Sequence, residues 1–366
     1  MKTKISFASF LLIFVIFACS HNKQISDNQK INVEVNCIAF YNLENLFDTI
    51  HDDGKNDFEY LPAGANKWNT IKYKSKLHNM AFAISQIGAD DKDAKLPMGA
   101  VILGVSEVEN RRVLEDLVAQ PEIANRQYQI VHHEGPDRRG VDVALLYNPR
   151  YFTVTSSKSH FLGKKYLTGS SYENSPDSTF RTRDQLLVSG YLQGEKIHVI
   201  VNHWPSRTGG EKQSEPLRIA AARLTRHIVD SLMNVDINSK IVVMGDLNDD
   251  PFNESCAKIL GAKKDKNAVE KNELYNVFWK TLDSGVGSLI YNGRPNLFDQ
   301  IIVSSGLING AKTELQFWKA EVFRRNFLLQ QEGQYKGTPL RTHAGGVWLN
   351  GYSDHLPTLI YLIKEK

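Results

Sequence analysis

Short apolar runs bounded by turn residues recur along the chain after about residue 31. They are rich in β-branched side chains, which is typical of strands covered on both faces. The clearest predicted strands are residues 35–42, 99–108, 128–133, 141–147, 185–192, 196–204, 240–248 and 297–304. The hydrophobic pattern therefore predicts a protein built around β-strands.

Helical periodicity appears between some of these runs. One predicted helix face carries Leu77, Met80, Ala81, Ile84 and Ile87, and a second carries Leu217, Ala221, Leu224, Ile228 and Leu232. Ser214 is a plausible N-cap for the second helix, with Pro216 in its first turn. Strands interleaved with helices, together with hairpin-like pairs such as residues 185–204, indicate an α/β protein with mixed sheets and outer helices.

The N-terminus matches a secretory signal. Two lysines precede an apolar stretch, residues 5–18, that is too short for a comfortable transmembrane helix. The run Ile16–Cys19 resembles a bacterial lipoprotein cleavage site, although Phe17 stands where a small residue is usual. We therefore expect an exported protein anchored through a lipid on Cys19.

This interpretation gives the domain organisation. Residues 1–19 are predicted to be the lipoprotein-type signal peptide, and residues 20–30 a polar tether. Residues 31–366 show no repeat and no second linker, which favours a single domain. We expect membrane contact through the N-terminal lipid only, and no obligate protein partner is evident.

Composition narrows the class of protein further. The 366 residues are 42% hydrophobic and 23% charged, as in ordinary globular proteins. Loss of residues 1–18 removes two lysines and no acid, so the formal net charge falls from +3 to +1 and gives no global attraction to a polyanion. Only Cys37 and Cys256 remain as thiols, which excludes a disulfide-rich scaffold and a multi-cysteine metal site.

Polar and ionisable residues follow the apolar runs at several strand ends. They are Asn42 and Glu44, Glu107 and Glu109, His203, Asp246 and Asn248, and near the C-terminus Asp354 and His355. A buried charge must be paired, metal-bound or shifted in pKa, so groups from separate strands are best accommodated around a shared cation. In α/β sheets the strand ends are also where ligands bind.

Each fragment taken alone has a structural explanation. "DLNDDP" is a common turn sequence, and Glu107 with Glu109 could begin the helix that "RRVLEDLVA" suggests. His203 and "SDHLP" could equally be structural. The "GDLND" run also fits calcineurin-like metallophosphatases, but the Asp-x-His and Gly-Asn-His elements that those enzymes need are missing in that order.

Taken together, the motifs resemble the endonuclease/exonuclease/phosphatase superfamily, the group that includes deoxyribonuclease I. They are "FYNLEN", "GVSEVEN", "DRRGVDVALLY", "VNHWPSR", "GDLNDDP", "FDQIIVS" and "SDHLP", and they span about residues 35–363. The resemblance implies a four-layer sandwich, in which two packed mixed β-sheets are flanked by helices. It also implies divalent-metal-dependent hydrolysis of phosphate esters.

The resemblance assigns roles by matching motif. Asn42, Glu44, Glu107 and Asp354 are implied as metal ligands, and His203, Asp246, Asn248, Asp299 and His355 as catalytic residues. Ser106 departs from the family pattern, which often has Gln before the metal glutamate. Arg138, Arg139 and Arg207 are candidate phosphate-binding residues or solvated surface charges.

The implied chemistry is the cleavage of a phosphodiester by water. An oxygen-rich ligand set suits Mg²⁺ or Mn²⁺. His203 and Asn248 are expected to donate to phosphoryl oxygens. In relatives, the base is assigned either to the residue that matches Asp246 or to the one that matches His355. The histidine is favoured here if Asp299 fixes its tautomer. Asp246 would then orient the water.

The substrate is the least determined feature. An exported nuclease acting on nucleic acid is the leading hypothesis, because the chain resembles secreted bacterial nucleases of this superfamily. A lipid or inositol-phosphate phosphodiesterase or phosphatase is the alternative within the same fold. A non-catalytic binding lipoprotein is a third hypothesis, which the retained acid, amide and imidazole side chains argue against.

Overall fold

The computed structural model describes residues 33–89, 92, 96–176 and 179–366. The predicted signal peptide, Cys19 and the tether lie outside the described residues, as do residues 31 and 32 of the predicted domain. Val33–Lys366 forms one compact unit. Within the described ranges, no helix has both the length and the apolar character needed to cross a membrane.

The elements follow the predicted alternation of strands and helices. The helices are α1 (Thr70–Gln86), α2 (Arg111–Val118), α3 (Glu211–Met233) and α4 (Trp279–Asp283), with a π-helical turn at Ser255–Ile259. The strands are β1 (Val33–Leu46), β2 (Ala100–Val108), β3 (Gln129–His132), β4 (Asp142–Tyr147), β5 (Phe152–His160), β6 (Gln185–Leu192), β7 (Glu195–His203), β8 (Lys240–Asp246), β9 (Ala262–Lys263), β10 (Leu274–Asn276), β11 (Leu289–Tyr291), β12 (Arg294–Asn296), β13 (Asp299–Ser304), β14 (Gln316–Val322), β15 (His343–Ala344), β16 (Val347–Trp348) and β17 (Thr358–Glu365).

Two large mixed sheets contain most of these strands. The first has the order β14-β17-β1-β2-β4-β3, and the second has the order β5-β6-β7-β8-β13-β10-β9. The β1–β2 and β7–β8 pairs are parallel, whereas their outer neighbours are antiparallel. Two small hairpins, β11–β12 and β15–β16, stand apart from the sheets.

The sheets pack face to face with helices outside, so the predicted four-layer α/β sandwich is confirmed. Gly104 on β2 shows how close the sheets are, because a Cβ there would lie 2.4 Å from Met244 Sδ on β8. Helix α1 packs on β1 of the first sheet. Helix α3 covers the second sheet, where Ala221 and Ile228 join a buried cluster with Ile241 and Val243.

The start of α3 differs from the prediction. The helix begins at Glu211 with Gly210 as its N-cap, so Pro216 lies beyond the first turn. Ser214 is inside the helix, where its hydroxyl donates to the Gly210 carbonyl over 2.7 Å. The first turn of α3 carries no apolar face, and the hydrophobic periodicity therefore could not reveal it.

The cysteines and the second acidic motif are placed as follows. Cys37 and Cys256 are fully buried and form no disulfide with the described residues, as expected for core thiols. Glu107 belongs to strand β2, and helix α2 begins only at Arg111 with Asn110 as its N-cap. The alternative in which Glu107 and Glu109 open that helix is therefore wrong.

Candidate active site

Strand ends from both sheets meet at one rim of the sandwich. In the first sheet, Asn42 on β1 lies beside Ser106 on β2. In the second sheet, Asp246 at the end of β8 lies beside His203 on β7 and Asp299 on β13. Asn42 Nδ2 donates to Asp246 Oδ2 over 3.1 Å, which joins the two sheets at this rim. The pairing registers therefore place side chains from distant motifs in one site.

Local backbone distortion sets the direction in which several of these side chains point. The angle φ is +46° at Glu44, +59° at Glu107 and +51° at Asn248, which is the left-handed conformation that non-glycine residues rarely adopt. The β1–β2 and β2–β4 pairings shift register at the two glutamates. Such bulges redirect side chains at the cost of about 1–3 kcal/mol for each strained residue, and they are common at active sites.

Asp299 and His355 form a buried carboxylate–imidazole pair. His355 Nδ1 lies 2.7 Å from Asp299 Oδ2, and the Ser288 hydroxyl donates to the same oxygen over 2.5 Å. Burial opposes the charged imidazole, but the carboxylates of Asp299 and Asp246 outweigh it and raise the pKa of His355 well above its usual value. These neighbouring carboxylates therefore favour the protonated imidazole.

His203 reaches the opposite protonation state in the same site. Its Nε2 lies 3.6 Å from Asp246 Oδ2 and 3.7 Å from Glu107 Oε1. Burial, followed by the positive charges of Arg183, Arg139 and His355, lowers the pKa of His203 well below its usual value. A neutral His203 can donate one hydrogen bond to a ligand without adding charge.

Two buried carboxyl groups of the site have raised pKa values, because neighbouring positive charge does not fully offset the effect of burial. Burial raises the pKa of Asp246 to about 7, and the charges of Asp299 and Glu107 also raise it while His355 lowers it. Burial and Asp354 raise the pKa of Glu44 to about 7, although Lys76 and Arg341 oppose that change. A cation bound here would relieve the same imbalance.

The predicted metal ligands surround this region in two groups. Arg341 bridges Glu44 and Asp354, with Nε 3.1 Å from Glu44 Oε1 and Nη2 2.9 Å from Asp354 Oδ2. Glu107 lies on the His203 side, and its Oε2 accepts the Asn45 backbone N–H over 3.0 Å. The donors are oxygens of the kind that Mg²⁺ and Mn²⁺ prefer, so the residues fit a hard divalent cation.

The tightest clusters of ligand atoms differ from the predicted set. Among the described residues, groups of three such side chains with ligand atoms within 4.8 Å of one another are Asp246, Asp299 and His355, and a second group of His132, Glu134 and Asp142. The second group lies at the ends of β3 and β4 and was not indicated by the motifs. Glu44, Glu107 and Asp354 do not form such a group, and Arg341 lies between two of them.

Asn248 and Ser106 complete the inner surface of the site. Asn248 Nδ2 donates to the Trp204 carbonyl over 3.0 Å, and its backbone N–H donates to Asp246 Oδ1 over 3.0 Å. The Ser106 hydroxyl is buried and makes no hydrogen bond with the described residues. Ser106 therefore does not supply the hydrogen bond that the resemblance implies for a Gln at this position.

The three predicted phosphate-binding arginines have different environments. Arg207 is buried, donates to the Asn248 carbonyl and Asp249, and stacks 4.4 Å from the Phe298 ring, so its contacts support a structural role instead of the predicted one. Arg138 is exposed and donates to the Thr179 carbonyl. Arg139 is half-buried, and its charge acts on His203.

Three positively charged side chains at the site were not predicted from the sequence. Arg183 donates to the carbonyls of His203 and Trp204 and so fixes the end of β7. Lys76 on α1 is buried, and burial lowers its pKa to about 8. Arg341 lies in the segment before "SDH". Neither the apolar runs nor the motifs mark Lys76, Arg183 or Arg341.

Comparison with known proteins places this geometry in a family. No curated protein matches the sequence significantly. Among solved structures, an endonuclease/exonuclease/phosphatase family protein from Bacteroides thetaiotaomicron is 13% identical, with TM-score 0.51 over 91% of this chain and 99% of that one. A mannosyl-6-phosphatase from the same organism is 15% identical, with TM-score 0.50 over 89% of this chain and 99% of that one.

Other solved structures are more distant. TDP2 from Caenorhabditis elegans, in truncated form, is 15% identical, with TM-score 0.47 over 90% of this chain and 97% of that one. Identities this low show a shared fold only. The sequence profile described as "Endonuclease/Exonuclease/phosphatase family" matches residues 37–364, nearly the whole described unit. The chain, with its acids, amides and imidazoles gathered at one rim, belongs to the endonuclease/exonuclease/phosphatase family.

Proposed function

We propose that this site hydrolyses phosphoester bonds with bound Mg²⁺ or Mn²⁺, and that its substrates are nucleic-acid phosphodiesters. Members of the family are hydrolases that act on phosphoester bonds. The observation that carries the proposal is the buried Asp299–His355 pair beside Asp246, at a rim where burial raises the pKa of Asp246 and of Glu44 to about 7. A bound divalent cation supplies Lewis-acid polarisation of the phosphoryl group.

The positions of Asp246 and His355 restrict their roles. His355 Nε2 lies only 3.9 Å from Asp246 Oδ2, so both groups act on the same side of the phosphorus atom. They therefore do not serve opposite ends of an in-line displacement, and we assign the proton of the attacking water to one of them. The carboxylates of Asp299 and Asp246 raise the pKa of His355 well above its usual value, which disfavours it as a proton acceptor, so we assign the role of base to Asp246.

This assignment reverses the preference drawn from the sequence. Asp246 accepts a proton from water while its other oxygen is held by the Asn248 N–H. Protonated His355 places a positive charge beside the water and the phosphoryl oxygens. Neutral His203 donates a hydrogen bond to another of these oxygens, so developing negative charge meets fixed donors.

One panel of substrates tests the activity and its specificity. The purified chain is incubated with plasmid DNA, RNA, sphingomyelin vesicles, an inositol phosphate and mannose 6-phosphate, each with Mg²⁺ and with a chelator. The last substrate is included because of the mannosyl-6-phosphatase of the same fold. We expect cleavage of nucleic acid only, and only with Mg²⁺.

The other outcomes are equally informative. Release of phosphate or headgroup from a lipid, inositol or sugar substrate, without nucleic-acid cleavage, would replace the nuclease proposal by the phosphatase or phosphodiesterase alternative. No cleavage in any arm, with and without metal, would revive the non-catalytic binding lipoprotein.

We also propose that the enzyme is an exported lipoprotein. The support is the basic and apolar N-terminus that ends at Cys19. Metabolic labelling with a radioactive fatty acid should mark the wild-type chain and not a Cys19→Ser variant. Equal labelling of both chains would contradict lipidation at this position.

A further inference from the structure

Arg341 lies at the mouth of the site, between two carboxylates assigned to the cation. Its side chain is 44% exposed, whereas that of Glu44 beneath it is 5% exposed. Two of its five N–H groups are used, by Nε to Glu44 Oε1 and by Nη2 to Asp354 Oδ2. The other three make no hydrogen bond with the described residues, so Arg341 has unused donors at the surface of the site.

The oxygens that Arg341 holds are those a cation would need. Glu44 Oε2 already accepts the Thr342 backbone N–H over 2.6 Å. Oε1 is the oxygen that Arg341 Nε contacts, so a cation bound at Oε1 would compete with this contact. At Asp354 the same conflict concerns Oδ2, while Oδ1 lies 3.9 Å from His355 Nε2.

The segment that carries Arg341 is held in place independently of this side chain. Buried Lys76 on α1 donates to the Thr342 hydroxyl and to the Tyr352 carbonyl, each over 2.5 Å. Thr342 is also held by Glu44, and Ser353 by the Asn42 carbonyl. The guanidinium can therefore leave the carboxylates without release of the backbone that presents it.

We propose that Arg341 competes with the divalent cation for Glu44 and Asp354, and that once displaced it binds the phosphate group of the ligand. The proposal rests on the proposed function, since it assumes a cation and a phosphate in the same site. The planar guanidinium of Arg341 can donate to two phosphate oxygens at once, whereas a lysine ammonium group cannot match that geometry. Arg341 would thus be a specificity-determining residue that exchanges one anionic partner for another.

Two binding measurements by isothermal titration calorimetry test this exchange without any turnover. The first titrates Mg²⁺ alone into the metal-free chain, and the second titrates inorganic phosphate into the chain saturated with Mg²⁺. The variants are Arg341→Gln and Arg341→Lys. The matched control is Arg111→Gln, because Arg111 is similarly exposed at 50% and also pairs with a carboxylate, that of Glu115 on the surface of α2.

The two measurements should change in opposite directions in Arg341→Gln. Loss of the competing positive charge should tighten Mg²⁺ binding about 3-fold or more. Loss of a charge-assisted donor pair should weaken phosphate binding about 10-fold or more. Arg341→Lys should keep the Mg²⁺ affinity near that of the wild type and show an intermediate loss for phosphate, and Arg111→Gln should change neither.

Three results would overturn the proposal. Weaker Mg²⁺ binding together with weaker phosphate binding would mean that Arg341 only maintains the shape of the site. Unchanged binding of both, or tighter Mg²⁺ binding with unchanged phosphate binding, would remove Arg341 from ligand recognition. Circular dichroism and thermal unfolding establish that each variant is folded, and failure of the hydrolysis panel would leave these binding results interpretable on their own.

Discussion

At the scale of residues, His203 and His355 carry the same imidazole but reach opposite protonation states. Burial lowers the pKa of His203, and two cationic arginines nearby lower it further. His355 has a carboxylate at 2.7 Å, and the attraction outweighs burial. The site therefore contains one neutral donor and one cation made from one residue type, and neighbouring charge decides which is which.

Removal of the Asp299 carboxylate should disable the cationic histidine. In Asp299→Asn, His355 loses the partner that raises its pKa and fixes its ring, so kcat should fall at least ~100-fold, the usual scale for acid–base function. Initial rates at saturating substrate measure this change. Ser288→Ala, which removes the other hydrogen bond to Asp299 Oδ2, is the matched control and should retain most of the activity. An unchanged kcat in Asp299→Asn would show that the pair has no catalytic role.

The contribution of Asp246 to the stability of the folded chain should depend on pH. Its pKa is about 7 in the folded chain and about 3.9 in an unfolded chain, so the folded state binds the extra proton between these values. The carboxyl group therefore supports folding below about pH 4, and this contribution is lost as the pH rises to about 7. In chelator, the melting temperature of Asp246→Asn should rise relative to the wild type by several degrees over that interval and stay level above it.

The exposed carboxylate of Glu115 provides the control for this experiment. Glu115→Gln removes a carboxylate on the surface of α2, outside the site, and its difference in melting temperature from the wild type should change less over the same pH range than that of Asp246→Asn. A difference between Asp246→Asn and the wild type that does not vary with pH would contradict the raised pKa of Asp246.

At the scale of elements, the parallel pairing of β7 and β8 brings His203 beside Asp246. Gly245, one residue before Asp246, permits that approach. A Cβ at Gly245 would lie 2.2 Å from the Asn202 carbonyl oxygen, and φ there is +153°, outside the range of ordinary L residues. The glycine of "GDLN" is therefore required by strand spacing.

Gly245→Ala should accordingly destabilise the protein by about 2–4 kcal/mol, because the strands must separate or the backbone must distort. Urea denaturation measures the free energy of unfolding. Gly163→Ala is the control, since φ at Gly163 is −80° and its Cβ would make only ordinary contacts, the nearest at 3.5 Å from Phe161. A Gly245→Ala variant as stable as Gly163→Ala would show that β7 and β8 can separate freely.

At the scale of the whole molecule, the layers and the rim could be predicted from the sequence, but the charges around the rim could not. Alternating apolar runs locate strands such as β1 and β8, and the residues at their ends meet because parallel strands end at the same edge. Lys76 and Arg341 were missed because neither follows an apolar run. The sequence could not decide between Asp246 and His355 as the base, because their pKa values depend on burial and neighbours that only the fold supplies.

Burial raises the pKa of Glu44 and Asp246, so a bound cation that stabilises their charged forms should also raise the thermal stability of the whole chain. Excess Mg²⁺ should raise the melting temperature, since a ligand at 100 times its Kd stabilises the folded state by about 2.7 kcal/mol. Glu107→Gln should respond less, because one anionic ligand of the cation is lost, and chelator should reverse the effect. Potassium chloride at equal ionic strength, and the surface variant Glu115→Gln, control for screening. If potassium chloride reproduced the full shift, the carboxylates at the rim would not bind a divalent cation, and the charge imbalance of Glu44 and Asp246 would need another partner.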